Sequence, residues 1–139
     1  MFIALDKLDK QFELKCDICI VGAGAAGITV AHELIGSGID VILLEGGGKD
    51  YTEESQAIYQ GTTTGRKYKN LDESRLRFFG GSTNHWAGSC RQLDEIDFER
   101  RDWVENSGWP ISKSDIAPYY ERASKYTPLT SEPENLWVI

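Results

Sequence analysis

The chain has 139 residues, of which 40% are hydrophobic, enough for the core of one ordinary domain. Its formal charge of -7 argues against a nucleic-acid partner, because a phosphate backbone requires a basic surface. No apolar run approaches the roughly 20 residues needed to cross a bilayer, so we expect no transmembrane segment. Residues 1–17 carry acids and lysines where a secretory signal would be apolar. We therefore expect a cytoplasmic chain, with peripheral membrane association left open.

The chain begins with a polar, weakly patterned stretch, residues 1–15, which we interpret as an N-terminal arm ahead of a domain formed by residues 16–139. Residues 16–21 are apolar and end at a glycine, which predicts a strand buried on both faces. Residues 41–44 form a second apolar run of the same kind.

A helical pattern lies between these two runs. It begins near Ala25 and is rich in helix formers, and Gly36 and Gly38 suit its C-terminal end. Four apolar residues share one side of this helix: Ile28, Ala31, Leu34 and Ile35. Strand, helix and strand follow one another within about 30 residues, the length of one βαβ unit.

The remaining pattern is weaker. The pattern of residues 49–77 predicts one short helix, over residues 53–59, followed by a long polar loop. A loop of this length is usually functional or mobile. Further on, Ser112 and Asp115 form a capping box that starts another helix. Only two parallel strands are evident, too few for an open sheet that buries its helices, so the chain looks truncated. The predicted fold class is α/β, a Rossmann-like domain with an incomplete parallel sheet, helices and long loops.

Three glycines, Gly22, Gly24 and Gly27, form a G-x-G-x-x-G between the predicted strand and helix. This context allows a tight turn, a close approach to a pyrophosphate, and close packing of helix on sheet. Glu45 ends the second strand. Its distance along the chain from the glycine motif is close to the roughly 20 residues at which an acid that binds ribose hydroxyls is expected. Its charge disfavours a 2′-phosphate, and therefore NADP. The predicted nucleotide site also includes Ala23, Ala25, Ala26 and Gly46. The alternative is a glycine-rich turn that merely joins strand to helix, and the motif alone does not separate FAD from NAD.

A second group of small residues occurs in RLRFFGGSTNHWAG. Together with VGAGAAG, ILLEGGG, GWPIS and DIAPYYERA, it makes residues 16–126 resemble the glucose-methanol-choline (GMC) oxidoreductase family. The resemblance implies FAD as cofactor, with its isoalloxazine near residues 80–88. It also implies that residues 16–139 are the N-terminal part of the FAD-binding domain, without the substrate domain.

The glycines and short polar side chains of this loop suit close approach and hydrogen bonding to a flavin. The predicted contacts are Gly80, Gly81, Ser82, Asn84, His85 and Trp86. In some family members a histidine at the position of His85 is bonded covalently to the flavin. The alternative is a histidine that only hydrogen-bonds or packs. Arg75 and Arg77 precede the loop, and we interpret them as solvated and outside the site.

The resemblance also implies oxidation of an alcohol or sugar hydroxyl, with hydride transfer to flavin N5. The family's catalytic histidine lies near its far C-terminus, so we assign no catalytic residue here and leave the electron acceptor unassigned. Two alternatives remain, a non-catalytic nucleotide-binding fragment and an NAD-dependent Rossmann dehydrogenase. The GGSTNHW loop disfavours the latter.

Cys16 and Cys19 form a C-x-x-C, which suggests a redox pair or half of a zinc site. We predict neither, because side chains three apart on a strand point to opposite faces and no second ligand pair follows. No metal site is predicted.

Overall fold

The computed structural model describes residues 1–8, 11–86 and 90–127. The chain divides into two compact units, Met1–Trp86 and Ala87–Ile139. In chain order, the strands and helices are β1 (Ile18–Val21), α1 (Ala25–Glu33), β2 (Val41–Leu44), α2 (Glu53–Ala57), α3 (Leu71–Ser74), α4 (Glu95–Phe98) and α5 (Lys113–Ala123). Two 3₁₀ turns cover Leu5–Lys7 and Gly81–Asn84. No helix in the described ranges is both long enough and apolar enough to span a membrane.

The two strands form a parallel pair, with Ile18 opposite Val41 and Val21 opposite Leu44. The backbone N–H of Gly22 donates to the carbonyl of Leu44 at 2.7 Å, which continues the pairing one residue past β1. Parallel neighbours require a crossover connection, and α1 provides it. The predicted strand–helix–strand unit is confirmed, and the sheet of the described residues has these two strands.

The first strand starts later than predicted, at Ile18 rather than at residue 16. The N–H groups of Asp17 and Ile18 both donate to the carbonyl of Asp40, at 3.0 and 3.1 Å. Regular pairing therefore begins only where the partner strand begins, at Val41.

The expectation that both faces of β1 are buried is wrong. Ile18 and Ile20 are half-buried, whereas Cys19 is exposed and Val21 is 82% exposed. The physical reason is that, within the first unit, α1 packs over the Ile20 side of the sheet and leaves the other side open. Cys16 precedes the strand, and both it and Cys19 are free thiols.

Helix α1 begins directly after the glycine turn, with Gly24 as its N-cap, and ends at Glu33. Gly36 and Gly38 follow with φ of +78° and +79°, the left-handed region that glycine adopts without steric cost. The predicted apolar side is only partly correct. Ile35 lies beyond the last helical residue and is 74% exposed.

The segment between β2 and the second glycine loop contains two short helices rather than the single one predicted. Helix α2 is the expected one, and the Thr52 hydroxyl accepts a hydrogen bond from the N–H of Ser55 at 3.2 Å to cap it. The sequence predicts loop where α3 lies, because four residues are too few to show a helical period. An isolated parallel bridge between Gly48 and Phe78 then returns the chain to the end of β2.

The described part of the second unit contains the helices α4 and α5. Phe98, 8% exposed, is the buried hydrophobic residue of its described part. The predicted capping box of α5 is confirmed, because the Ser112 hydroxyl accepts from the N–H of Asp115 and the Asp115 carboxylate accepts from the N–H of Ser112. The Tyr120 hydroxyl accepts a hydrogen bond from the N–H of Leu93 at 3.1 Å, which ties α5 to the segment before α4.

Candidate functional site

The glycine turn after β1 opens the N-terminus of α1. Gly22 leaves the strand with φ of +99°, a conformation that favours glycine. Gly24 caps the helix without a side chain, and a Cβ placed on it would meet no atom of the described residues within 4 Å. The first N–H groups of the helix, at Ala25 and Ala26, have no acceptor within the helix itself. Free N–H groups and the helix dipole together suit this position to a phosphate.

The third glycine of the motif has a packing role. A Cβ on Gly27 would lie 1.9 Å from the carbonyl oxygen of Gly22 and 3.4 Å from Cγ2 of Ile20. Only glycine therefore allows α1 to lie this close to β1. The role that the sequence predicted for Gly27, close helix–sheet packing, agrees with this geometry.

The acid at the end of β2 accepts hydrogen bonds from the backbone segments that follow β1 and β2. The Glu45 carboxylate accepts from the N–H of Ala23 at 2.8 Å through one oxygen, and from the N–H of Gly47 at 2.9 Å through the other. Each carboxylate oxygen has two lone pairs, so one bond apiece leaves capacity for ribose hydroxyls. The ribose role remains a prediction, and holding the glycine turn is a function that the sequence did not reveal.

The second glycine loop lies directly against the first. The N–H of Gly80 donates to the carbonyl of Ala23 at 2.8 Å, and the N–H of Phe79 donates to the carbonyl of Gly48 at 2.9 Å. A Cβ on Gly81 would lie 3.5 Å from Cα of Gly24. The structure thus brings together the two sets of residues that the sequence predicts for one ligand.

The polar side chains of the second loop bond mainly to the loop's own backbone. The Asn84 amide donates to the carbonyls of Phe79 and Gly81, at 2.9 and 3.1 Å, and the Thr83 hydroxyl donates to the carbonyl of Gly80. The Ser82 hydroxyl accepts from the N–H of Leu76 at 3.2 Å. These bonds define the shape of the loop.

His85 and Trp86 are exposed at the end of the described part of this loop. Gly88, the last residue of the predicted isoalloxazine region, lies outside the described residues. The contacts that the sequence predicts between this loop and a flavin remain predictions.

The interpretation of Arg77 as solvated is wrong. Its side chain is half-buried, and its guanidinium Nη1 donates to the Ser55 hydroxyl at 2.8 Å. Its Nη2 would lie 2.9 Å from a Cβ on Gly46, so the guanidinium covers the residue after Glu45. The sequence carried no signal for this placement, because one partner belongs to α2 and the other follows β2, both far from Arg77 in the chain. The exposed Arg75 agrees with the interpretation.

The turn, the open helix N-terminus and the acid at the end of β2 together define a dinucleotide-binding α/β domain. Comparison with known protein families agrees, since residues 17–132 match the family described as FAD dependent oxidoreductase. The chain belongs to this family. It has a Rossmann-like fold, and FAD is its cofactor.

Several curated relatives of the chain are oxidases. The chain is 29% identical over 121 residues to 6'''-hydroxyparomomycin C oxidase of Streptomyces lividus, covering 76% of this chain and 21% of that protein. It is 28% identical over 117 residues to a long-chain-alcohol oxidase of Arabidopsis thaliana, covering 76% and 15%. Flavin-containing amine oxidase B of Bos taurus is 36% identical over 83 residues, covering 57% and 14%. The chain thus spans about a fifth or less of the length of these relatives. No solved structure matches it.

The described residues fit the ADP part of FAD. Gly24 provides open space at a helix N-terminus that has no side-chain cap, where the pyrophosphate would bind. Glu45 stands beside it at the end of β2 with spare acceptor capacity for a ribose. Gly80 and Gly81 bring a second backbone segment to the same place.

Proposed function

We propose that this chain is the FAD-binding N-terminal portion of a flavin-dependent oxidoreductase of the GMC type, which oxidises a CH–OH group of an alcohol or sugar. The observation that carries the proposal is the hydrogen bond from the N–H of Gly80 to the carbonyl of Ala23. It sets the GGST loop beside the dinucleotide turn, where one extended cofactor can contact both.

In this proposal the chain's residues bind and orient the cofactor. The pyrophosphate lies at residues 22–27 and the ribose at Glu45 and Gly46, while residues 80–86 contact the isoalloxazine. When bound, FAD supplies the hydride acceptor at its N5, and the protein supplies position and electrostatics. No catalytic base is assigned to the chain, since the exposed His85 lies on the loop proposed to hold the flavin itself.

The names of the relatives support the substrate class. Two are oxidases of 6'''-hydroxyparomomycin C and paromamine, and others are long-chain-alcohol oxidases. We therefore propose a small-molecule hydroxyl compound as substrate. A non-catalytic nucleotide-binding role and an NAD-dependent dehydrogenase are the competing functions.

The test is to load the purified full-length protein that contains this chain with FAD and follow the oxidised-flavin absorbance anaerobically while paromamine, simple sugars and long-chain alcohols are added in turn. Bleaching by a hydroxyl compound supports the proposal. A stable flavin complex that none of these compounds reduces would favour the non-catalytic role. Turnover with NAD and no flavin binding would overturn the proposal in favour of a dehydrogenase.

A finer question within the proposal is whether the flavin is covalently attached to His85. A histidine can act as a nucleophile when it is oriented. Acid precipitation of the full-length, FAD-loaded protein separates the two versions, with His85→Ala as control. Yellow precipitate from the parent and colourless precipitate from the variant support a covalent link. Flavin left wholly in the parent's supernatant excludes it and leaves His85 as a non-covalent contact.

A further inference from the structure

Gln56 of α2 is the buried polar residue among the described residues of the first unit. It is 6% exposed. Its amide nitrogen donates to the carbonyls of Asp72 and Arg75, at 2.7 and 2.5 Å. Its amide oxygen accepts from the N–H of Arg77 at 3.0 Å. All three bonds hold the backbone that leads into the second glycine loop.

This set of bonds needs an amide. A neutral carboxamide is both donor and acceptor, whereas a glutamate offers only acceptors and a methionine offers neither at comparable strength. Burial increases the dependence, because a buried polar group left without a partner is costly. The requirement at position 56 is therefore for hydrogen bonding, since an apolar side chain of similar size could fill the space but could not make these three bonds.

Ser55 reinforces the same attachment. Its hydroxyl donates to the carbonyl of Arg77 at 3.0 Å and accepts from the Arg77 guanidinium at 2.8 Å. We call Ser55 and Gln56 the α2 staple. The residue it holds, Arg77, directly precedes Phe78, which bridges to Gly48.

A short segment of the chain, residues 77–80, connects the α2 staple to the dinucleotide turn. From Arg77 the chain passes through Phe78 and Phe79 to Gly80, whose N–H bonds to Ala23. Glu45, in contrast, accepts its hydrogen bonds from the N–H groups of Ala23 and Gly47, and neither bond involves Ser55 or Gln56.

We propose that the α2 staple is a positioning device that sets the loop of residues 80–86 against the dinucleotide turn, and so determines affinity for the isoalloxazine half of FAD more than for the ADP half. This role rests on the proposed function, in which that loop contacts the flavin. Neither Ser55 nor Gln56 needs to touch the cofactor.

The test compares FAD and ADP affinity of the purified chain, measured by quenching of flavin fluorescence and by calorimetry. In Gln56→Met, which keeps side-chain bulk but removes all three bonds, we expect FAD binding to weaken about tenfold, or about 1.4 kcal/mol, relative to ADP binding. Ser55→Ala should shift the same ratio in the same direction by a smaller factor, and it carries the test if the Gln56 variant does not fold. Gln60→Met is the matched control, since Gln60 is an exposed glutamine just beyond α2.

Three results would overturn the proposal. An unchanged FAD-to-ADP ratio in both Ser55→Ala and Gln56→Met would remove the staple's positioning role and leave the proposed function intact. Parallel loss of both nucleotides in both variants would show a general structural role instead. A parent chain that binds FAD no more tightly than ADP would instead contradict the flavin contact of the proposed function, and the staple's role with it.

Discussion

Glu45 and Ala23 are joined by a hydrogen bond of 2.8 Å, from the backbone N–H of Ala23 to the carboxylate at the end of β2. The second carboxylate oxygen accepts from the N–H of Gly47. The acid is therefore part of the scaffold of the glycine turn as well as the predicted partner of a ribose. Its two roles share one requirement, a fixed negative group beside the N-terminus of α1.

Glu45→Gln should destabilise the chain and weaken ADP binding. The amide replaces one acceptor oxygen by a donor that faces a backbone N–H, and hydrogen bonds to a charged group contribute about 1.5–3 kcal/mol. We expect a loss of that order in the free energy of unfolding, measured by urea denaturation, together with a higher Kd for ADP. The matched control is Glu13→Gln, at an exposed position of the arm. Equal stability of Glu45→Gln and the parent would show that the two bonds do not hold the turn.

Gly27→Ala should damage the fold itself. Its methyl group would lie 1.9 Å from the carbonyl oxygen of Gly22, so α1 must move away from β1. Overpacking of this kind typically costs about 1–3 kcal/mol, measured here as a lower thermal midpoint and free energy of unfolding. Gly61→Ala is the control, because a Cβ there meets no atom of the described residues within 4 Å. If both variants unfold like the parent, close helix–sheet packing is not what requires glycine at position 27.

Gly24→Ala should separate folding from binding. The backbone of Gly24 has φ of -84°, which alanine adopts, and the new methyl group would stand in open space among the described residues. We expect normal stability but at least about tenfold weaker binding of ADP and FAD, because the methyl group occupies the approach of the pyrophosphate. Denaturation and calorimetry on the same preparation give both values. Unchanged nucleotide affinity would place the pyrophosphate elsewhere.

The cap of α5 should give a pH-dependent contribution to stability. The backbone N–H of Ser112, and then its hydroxyl, donate to the Asp115 carboxylate and hold its pKa below the ordinary value of 3.8. Because the pKa is lower in the folded state, the stabilisation is complete above the ordinary value and is lost as pH falls through the lowered one. The loss is measured by far-UV circular dichroism, as a decrease in the helical signal when the pH is lowered.

Asp115→Asn is the variant that tests the cap. It should be less stable than the parent near neutral pH, and the difference should shrink as the solution is acidified. Asp102→Asn, at an exposed loop position, should follow the parent throughout. A constant difference between Asp115→Asn and the parent across the acid range would contradict an ionised cap.

Local patterns in the sequence predicted the order of β1, α1 and β2, the positions of the motif glycines and the cap of α5. These features depend on neighbouring residues, since strand and helix periods, turn glycines and capping boxes are determined within a few positions. The boundaries were less well predicted. β1 begins only where Val41 pairs with Ile18, and this depends on a residue of another strand.

The tertiary structure alone decided how the pieces meet. The bond between Gly80 and Ala23, the attachment of residues 72–77 to Gln56 and the placement of Arg77 over Gly46 all join residues far apart in the chain. The sequence by itself determined which residues we propose to bind a dinucleotide, because that proposal depends on residue types and their spacing: glycines, a helix N-terminus and one acid. Which of those residues also hold the scaffold depends on distances between elements, and such distances exist only once the chain has folded.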